Sequence, residues 1–221
     1  QLSVNVVRHG LSSGLRPSAE LEDILARTEQ SYSQYEFRVL HLSTTHRERK
    51  GTMQLLRAWK ELMQRNELPI SATLTLVLDR DATRGVYAQL LDDGEDLPPG
   101  ARIEQRWGVA ERGASASEAA RSYAGYHVVC QPSRGEAFGL VPLEARAIGV
   151  PVVATACTGH AEHLDGCGMG DGVVIVEHGA PEPLDDLPGS VAPAVKQSAI
   201  ALGIVRAYTH WRELREGAKA N

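Results

Sequence analysis

Cysteine is scarce. Cys130, Cys157 and Cys167 are an odd set of three without CxxC spacing, so neither a disulfide framework nor a zinc site is expected, and a reducing cytosol fits. Cys130 lies in an apolar strand-like run and reads as a buried free thiol. Long apolar runs are missing as well. None approaches the roughly 20 residues that span a bilayer, and no signal-peptide pattern opens the chain, so a cytoplasmic protein without a transmembrane segment is expected. Positive charge is not in excess: 23 Lys and Arg stand against 28 Asp and Glu, a net charge of −5. That argues against a nucleic-acid partner or an anionic membrane surface. No GxGxxG follows a strand-like run, which disfavours a plain dinucleotide-binding protein. Internal repeats and low-complexity tracts are absent. The chain opens on Gln1 rather than methionine, so its N-terminus is expected to be processed or cut.

What is present is an ordinary globular composition, 43% hydrophobic and 23% charged in 221 residues, enough for one large domain with a sizeable core. Short β-branched runs alternate with longer amphipathic ones. Strands are predicted at residues 38–42, 73–78, 102–105, 127–130, 152–154 and 173–176; the second is almost continuously apolar, as a strand covered on both faces should be. A helix is predicted over 50–64, where Leu55, Leu56, Trp59, Leu62 and Met63 form one stripe. Further helices are read at 116–123 and at 141–148, the latter with Pro142 near its start and Gly149 and Pro151 past its end. A long helical stretch follows Pro193, with a break near Thr209. Strand–helix repetition of this kind predicts right-handed crossovers and an α/β, doubly wound parallel sheet. Residues 1–36 differ: a strand at 4–7, a loop from Gly10 to Pro17, and a helix at 18–28 capped by Ser18. They are read as an inter-domain or linker segment, and 37–221 as the main domain. Residues 92–100 and 178–193 read as Pro/Gly/Asp-rich connections.

The window Gln131–His163, QPSRGEAFGLVPLEARAIGVPVVATACTGHAEH, carries the chemistry. It presents a strand end, a glycine-rich turn holding Glu136, a helix start, and a second acid, Glu144, in that helix's first turn. Gly135 and Gly139 permit close backbone approach to a ligand. The amides of Gly139, Leu140 and Val141 point out of the helix start, where the macrodipole favours an anion. A second cradle candidate lies at HRERKG, where Lys50 and Gly51 begin another helix at the carboxyl edge of the sheet. A phosphate cradle flanked by two carboxylates suits a sugar–diphosphate–nucleoside.

These residues resemble family 4 (group 1) retaining glycosyltransferases. GEAFGLVPLEARAIGVPVVAT is similar to that family's signature of two glutamates separated by seven residues, and TGHAEH at 158–163 also matches its habit. STTHRERKGTMQLLRAW resembles its upstream lysine–glycine phosphate motif, and VVRHGL at 6–11 the segment before its inter-domain linker. The resemblance covers most of residues 4–165. It implies a Rossmann-like, nucleotide-sugar-binding domain, one half of a GT-B fold, in which Glu144 would bond the ribose hydroxyls. Glu136, the candidate catalytic residue, would contact a donor-sugar hydroxyl. Amides of Phe138, Gly139 and Leu140 would hold the sugar and distal phosphate, and Lys50 would neutralise the pyrophosphate. Val141 and Gly51 complete the donor-binding set. Thr45 stands where the family places an arginine, so the basic partner is Arg47 or Arg49, or is missing. No metal or other cofactor is expected. The acceptor-binding N-terminal half is expected to be missing, along with any peripheral membrane contact it makes, and the chain to be a fragment inactive alone.

Plainer readings stand beside these. Glu144 alone would read as a dipole-complementing acid, Glu136 as an exposed turn acid, Lys50 as a solvated lysine, and Phe138 as a core plug. Asp79-Arg80-Asp81 has a metal-holding Asp-x-Asp spacing but sits in a strand-to-helix loop, where a capping role is the expectation. His160 and His163 lack a convincing third ligand, which favours a structural or donor-contacting role. Trp59, Trp107 and Trp211 are expected to pack. The functional alternatives are a nucleotide-sugar epimerase or other GT-B relative, and a non-catalytic nucleotide-sugar-binding module.

Overall fold

The computed structural model describes residues 15, 18–33, 35–43, 48–105, 116–185 and 187–220. In chain order the elements are α1 (Ala19–Ser31), β1 (Arg38–Ser43), α2 (Thr52–Gln64), β2 (Thr73–Leu78), α3 (Arg80–Asp92), β3 (Ala101–Gln105), α4 (Ala116–Ala124), β4 (Val128–Gln131), α5 (Leu140–Ala147), β5 (Val152–Thr155), α6 (Ala161–Leu164), β6 (Val173–Val176), β7 (Pro181–Pro183), β8 (Val191–Pro193), α7 (Gln197–Thr209) and α8 (Trp211–Lys219). Strands β1 to β6 make one sheet in the order β3-β2-β1-β4-β5-β6, and every neighbouring pair is parallel. Chain order runs outward in one direction from β1 and in the other from β4. The crevice beyond the carboxyl ends of β1 and β4 is therefore the switch point, where open α/β sheets bind ligands.

Alternation along the strands divides the core into two layers. Leu74, Leu76 and Leu78 of β2 face one layer with Leu55, Trp59 and Leu62 of α2, Val86 of α3 and Ile200 and Ile204 of α7. Val77, Leu40 and Val129 face the other, with Leu21 of α1, Ala120 and Tyr123 of α4, Ala145 of α5 and Ile148 just past its end, and Leu164 of α6. Burial on both faces is why these strands are apolar almost without interruption.

Several expectations are met to within a residue or two, among them the paired helices α7 and α8 that meet at His210. Ser18 caps α1 through a bond from the Leu21 amide. Asp79 caps α3, its Oδ1 accepting from the Ala82 amide at 2.7 Å, so the Asp-x-Asp acid has the capping role; α3 itself is additional to the helices read individually. Trp59 and Trp211 are buried, and their indole N–H groups donate to the carbonyls of Pro99 and His127. Residues 178–193, read as a connection, contain the antiparallel hairpin β7–β8. The strand at 4–7, most of the loop from Gly10 to Pro17, Thr45, Arg47 and Trp107 lie outside the described residues.

Candidate functional site

Two helices begin at the switch point without side-chain caps. Gly51 caps α2 at φ 71° and Gly139 caps α5 at φ 80°, both left-handed. The glycines are required by space as well as by φ. A Cβ on Gly51 would lie 2.3 Å from the Pro132 carbonyl oxygen, and one on Gly139 would lie 1.9 Å from His160 Cδ2. The start of α2 thus presses against the strand-end turn of β4, and the start of α5 against the 158–160 turn. Helix N-termini without side-chain caps leave backbone amides available to an anion.

Between these two starts stands a charged cluster. Lys50 Nζ donates to Glu136 Oε1. Arg49 Nη1 donates to the Gly135 carbonyl and lies 3.3 Å from Glu136 Oε2. Burial alone would raise the Glu136 carboxyl, but the charge and hydrogen bond of Lys50 outweigh it and hold the group below the ordinary carboxylate range. The structure therefore brings Lys50, Gly51 and Glu136 together and adds Arg49, one of the two basic residues the sequence left open.

The turn carrying Glu136 is fastened from a third segment. The Glu136 amide donates to Thr158 Oγ1 at 2.9 Å, and the Gly159 amide donates back to the Glu136 carbonyl at 3.0 Å. Thr158 adopts a positive φ of 49°, uncommon for a β-branched residue. His160 Nδ1 bonds the Thr155 carbonyl at 3.1 Å and His163 Nε2 the Phe138 carbonyl at 3.1 Å. Burial pushes His160 down to about 4, despite the opposing charge of Glu136, so its imidazole is neutral. Both rings support the turn that ends in Gly139. Phe138 is half-buried against the His163 ring at 5.5 Å and belongs to neither core layer, which corrects its reading as a core plug.

Glu144 needs a second correction. α5 begins at Leu140, so Glu144 starts the second turn, past the first turn where dipole complementation acts. Its Oε2 instead accepts the Tyr123 hydroxyl at 2.7 Å. Tyr123 is almost fully buried on α4, and burial raises its phenol, as does the Glu144 charge. This tyrosine fixes one carboxylate oxygen of Glu144. Leu140 is exposed at the start of α5 and Val141 is partly buried.

Sequence reasoning also missed Arg134. It lies two residues before Glu136, its side chain is 2% exposed, and it pairs with Glu48 at 2.8 Å and Glu182 at 2.9 Å. Its one visible signal was a basic residue inside a strand-end turn.

The sequence matches the family described as Glycosyl transferases group 1 over residues 36–197. No curated protein matches it in sequence. Among the solved structures that share its fold are the following three. One is the C-terminal domain of a glycosyl transferase group 1 family protein, LpcC, from Francisella tularensis, at 15% identity and TM-score 0.59, covering 96% of this chain and 93% of that one. Another is a glycosyltransferase from Rickettsia africae, at 18% identity and TM-score 0.60, covering 94% of this chain and 47% of that one. The third is WaaG, a glycosyltransferase involved in lipopolysaccharide biosynthesis, at 18% identity and TM-score 0.59, covering 96% of this chain and 51% of that one. This chain thus spans about half the length of the last two.

Proposed function

The chain belongs to the glycosyl transferase group 1 family, and we propose that it is the donor-binding half of an enzyme that transfers a sugar from a nucleoside diphosphate to an acceptor with retention of configuration. One observation carries this reading. Two glycine-capped helix starts flank the β1/β4 switch point, and Lys50 and Glu136 are paired between them. The diphosphate would lie across the two helix starts with Lys50 and Arg49 offsetting its charge, electrostatic stabilisation of a phosphate leaving group that needs no metal. Lys50 and Arg49 would then turn from Glu136 to the phosphates, leaving the Glu136 carboxylate for a hydroxyl of the donor sugar. Glu144, one oxygen held by Tyr123, would offer the other to the ribose.

The acceptor site belongs, on this proposal, to an N-terminal half absent from residues 1–221. Positioning of acceptor over donor supplies about 7–11 kcal/mol of such a barrier, so the chain alone would bind donor without transferring it. A hexose donor and a cytoplasmic setting are parts of the same proposal; the three unpaired thiols support the latter. No helix among the described residues is long and apolar enough to cross a membrane.

Isothermal titration of the chain with UDP, GDP and ADP sugars tests the reading. Binding of one base class, competed by its free diphosphate, is expected. Absence of binding by a folded chain across the panel would overturn it.

A further inference from the structure

We infer that Arg134 is a positioning residue that sets the spacing between Lys50 and Glu136, and that the β7–β8 hairpin belongs to the donor site through it. The inference rests on the donor-site reading above and deepens it.

The loop before α2 and both strands of the β7–β8 hairpin meet at one buried guanidinium. Nη1 donates to Glu48 Oε1 at 2.8 Å, on the loop before α2; Nη2 donates to Glu182 Oε1 at 2.9 Å, in β7; Nε donates to the Pro193 carbonyl at 3.0 Å, at the end of β8. The backbone adds a fourth link, the Arg134 amide donating to the Arg49 carbonyl at 2.7 Å. Glu48 is two residues before Lys50, and Arg134 two before Glu136. The clamp thus joins the two loops that carry the ion pair, two residues from the pair on each side.

The charges explain why an arginine stands here. A planar fork directs donors at three acceptors in fixed directions, which a lysine ammonium does not do. Glu48 and Glu182 engage the Arg134 charge, while Arg49 and Lys50 direct theirs to Glu136. Buried ion pairs are weak evidence for stability and are better attested as devices that fix one arrangement. Glu182 is 54% exposed, so its loss exposes no core. The hairpin is short, its strands spanning three residues each, and β7 is exposed throughout; its bonds to Arg134 tie it to the site.

The test uses Glu182→Gln and Arg134→Lys in the 221-residue chain, with inorganic pyrophosphate as the probe. In ligand-free protein, hydrogen exchange at the Arg134 amide should quicken tenfold or more in both variants, while the Leu76 amide in β2 exchanges as before. Pyrophosphate affinity should fall about tenfold, but the same changes on a Lys50→Ala background should cost less than twofold, because the clamp acts through Lys50. Unchanged exchange at Arg134 in Glu182→Gln overturns the inference. So does an equal affinity loss with and without Lys50, which would mean general destabilisation. If the unaltered chain fails to bind pyrophosphate, the donor-site reading fails, and the exchange comparison alone decides whether the clamp exists. Should Arg134→Lys not fold, Glu182→Gln carries the test.

Discussion

Lys50 and Glu136 are 86 positions apart in sequence and share a hydrogen bond at the carboxyl edge of the sheet. Each follows a different strand of the switch point, Lys50 after β1 and Glu136 after β4. The carboxylate stands where Lys50 and Arg49 converge, the place the proposed reading gives to a phosphate oxygen. On that reading, an entering diphosphate would compete for Lys50 and Arg49 and release Glu136 as it binds.

Lys50→Ala should therefore weaken nucleoside-diphosphate binding by ten- to a hundredfold, since a hydrogen bond to a charged group contributes about 1.5–3 kcal/mol. Nucleoside binding should change little, because in the proposed site the lysine would reach the phosphates and not the nucleoside. Calorimetry with both ligands reads the difference. Equal losses would indicate misfolding, and no loss would assign the phosphates to other groups.

Glu144→Gln should lower affinity for the nucleoside and the nucleoside diphosphate alike, by roughly tenfold or more, through loss of charge-assisted bonds to ribose. Tyr123→Phe should do the same more weakly, since it frees a carboxylate that stays charged. A Glu144→Gln chain with full affinity would confine Glu144 to its bond with Tyr123.

Gly51→Ala should damage stability and binding together. The left-handed backbone costs a non-glycine residue roughly 1–2 kcal/mol, and the new Cβ would lie 2.3 Å from the Pro132 carbonyl oxygen. A melting temperature lower by at least about 2–4 °C is expected for a chain of this length, with weakened pyrophosphate binding. An unchanged melting curve would contradict the close packing of α2 on the β4 turn.

Acid should destabilise the fold well above the carboxylate range. His41, His127 and His160 are buried and pushed down to about 4, in each case mainly by burial. The unfolded chain takes up these protons near pH 6.5 and the folded chain does not, so stability is full above 6.5 and falls as pH drops towards 4. Each contributes on the order of 1–2 kcal/mol by pH 5. Urea midpoints at pH 7.5 and 5.0 check this; equal midpoints would contradict neutral buried imidazoles.

Strands buried on both faces were the most legible part of the sequence. Residues 73–78 and 173–176 were read to the residue because double burial leaves an apolar run with few alternatives. Both glycine-led helix starts are legible for a different local reason, a glycine standing just before an amphipathic run. The hairpin was not: its strands are three residues long, and Pro181 and Pro183 argue against a strand except at an exposed edge. Arg134 and Tyr123 were missed because their meaning lies in distant partners, Glu48 and Glu182 for one and Glu144 for the other. Arg49 and Arg47 are not distinguishable from the sequence, since a loop sequence does not tell which side chain turns inward.

The most direct measurement is an amide chemical-shift titration of the chain with a nucleoside diphosphate. The amides of Gly51, Glu136, Gly139 and Leu140 should shift together along one saturation curve, with Glu144 following through the ribose. Shifts confined to the opposite edge of the sheet, or separate curves for Gly51 and Gly139, would contradict a single diphosphate site at the switch point.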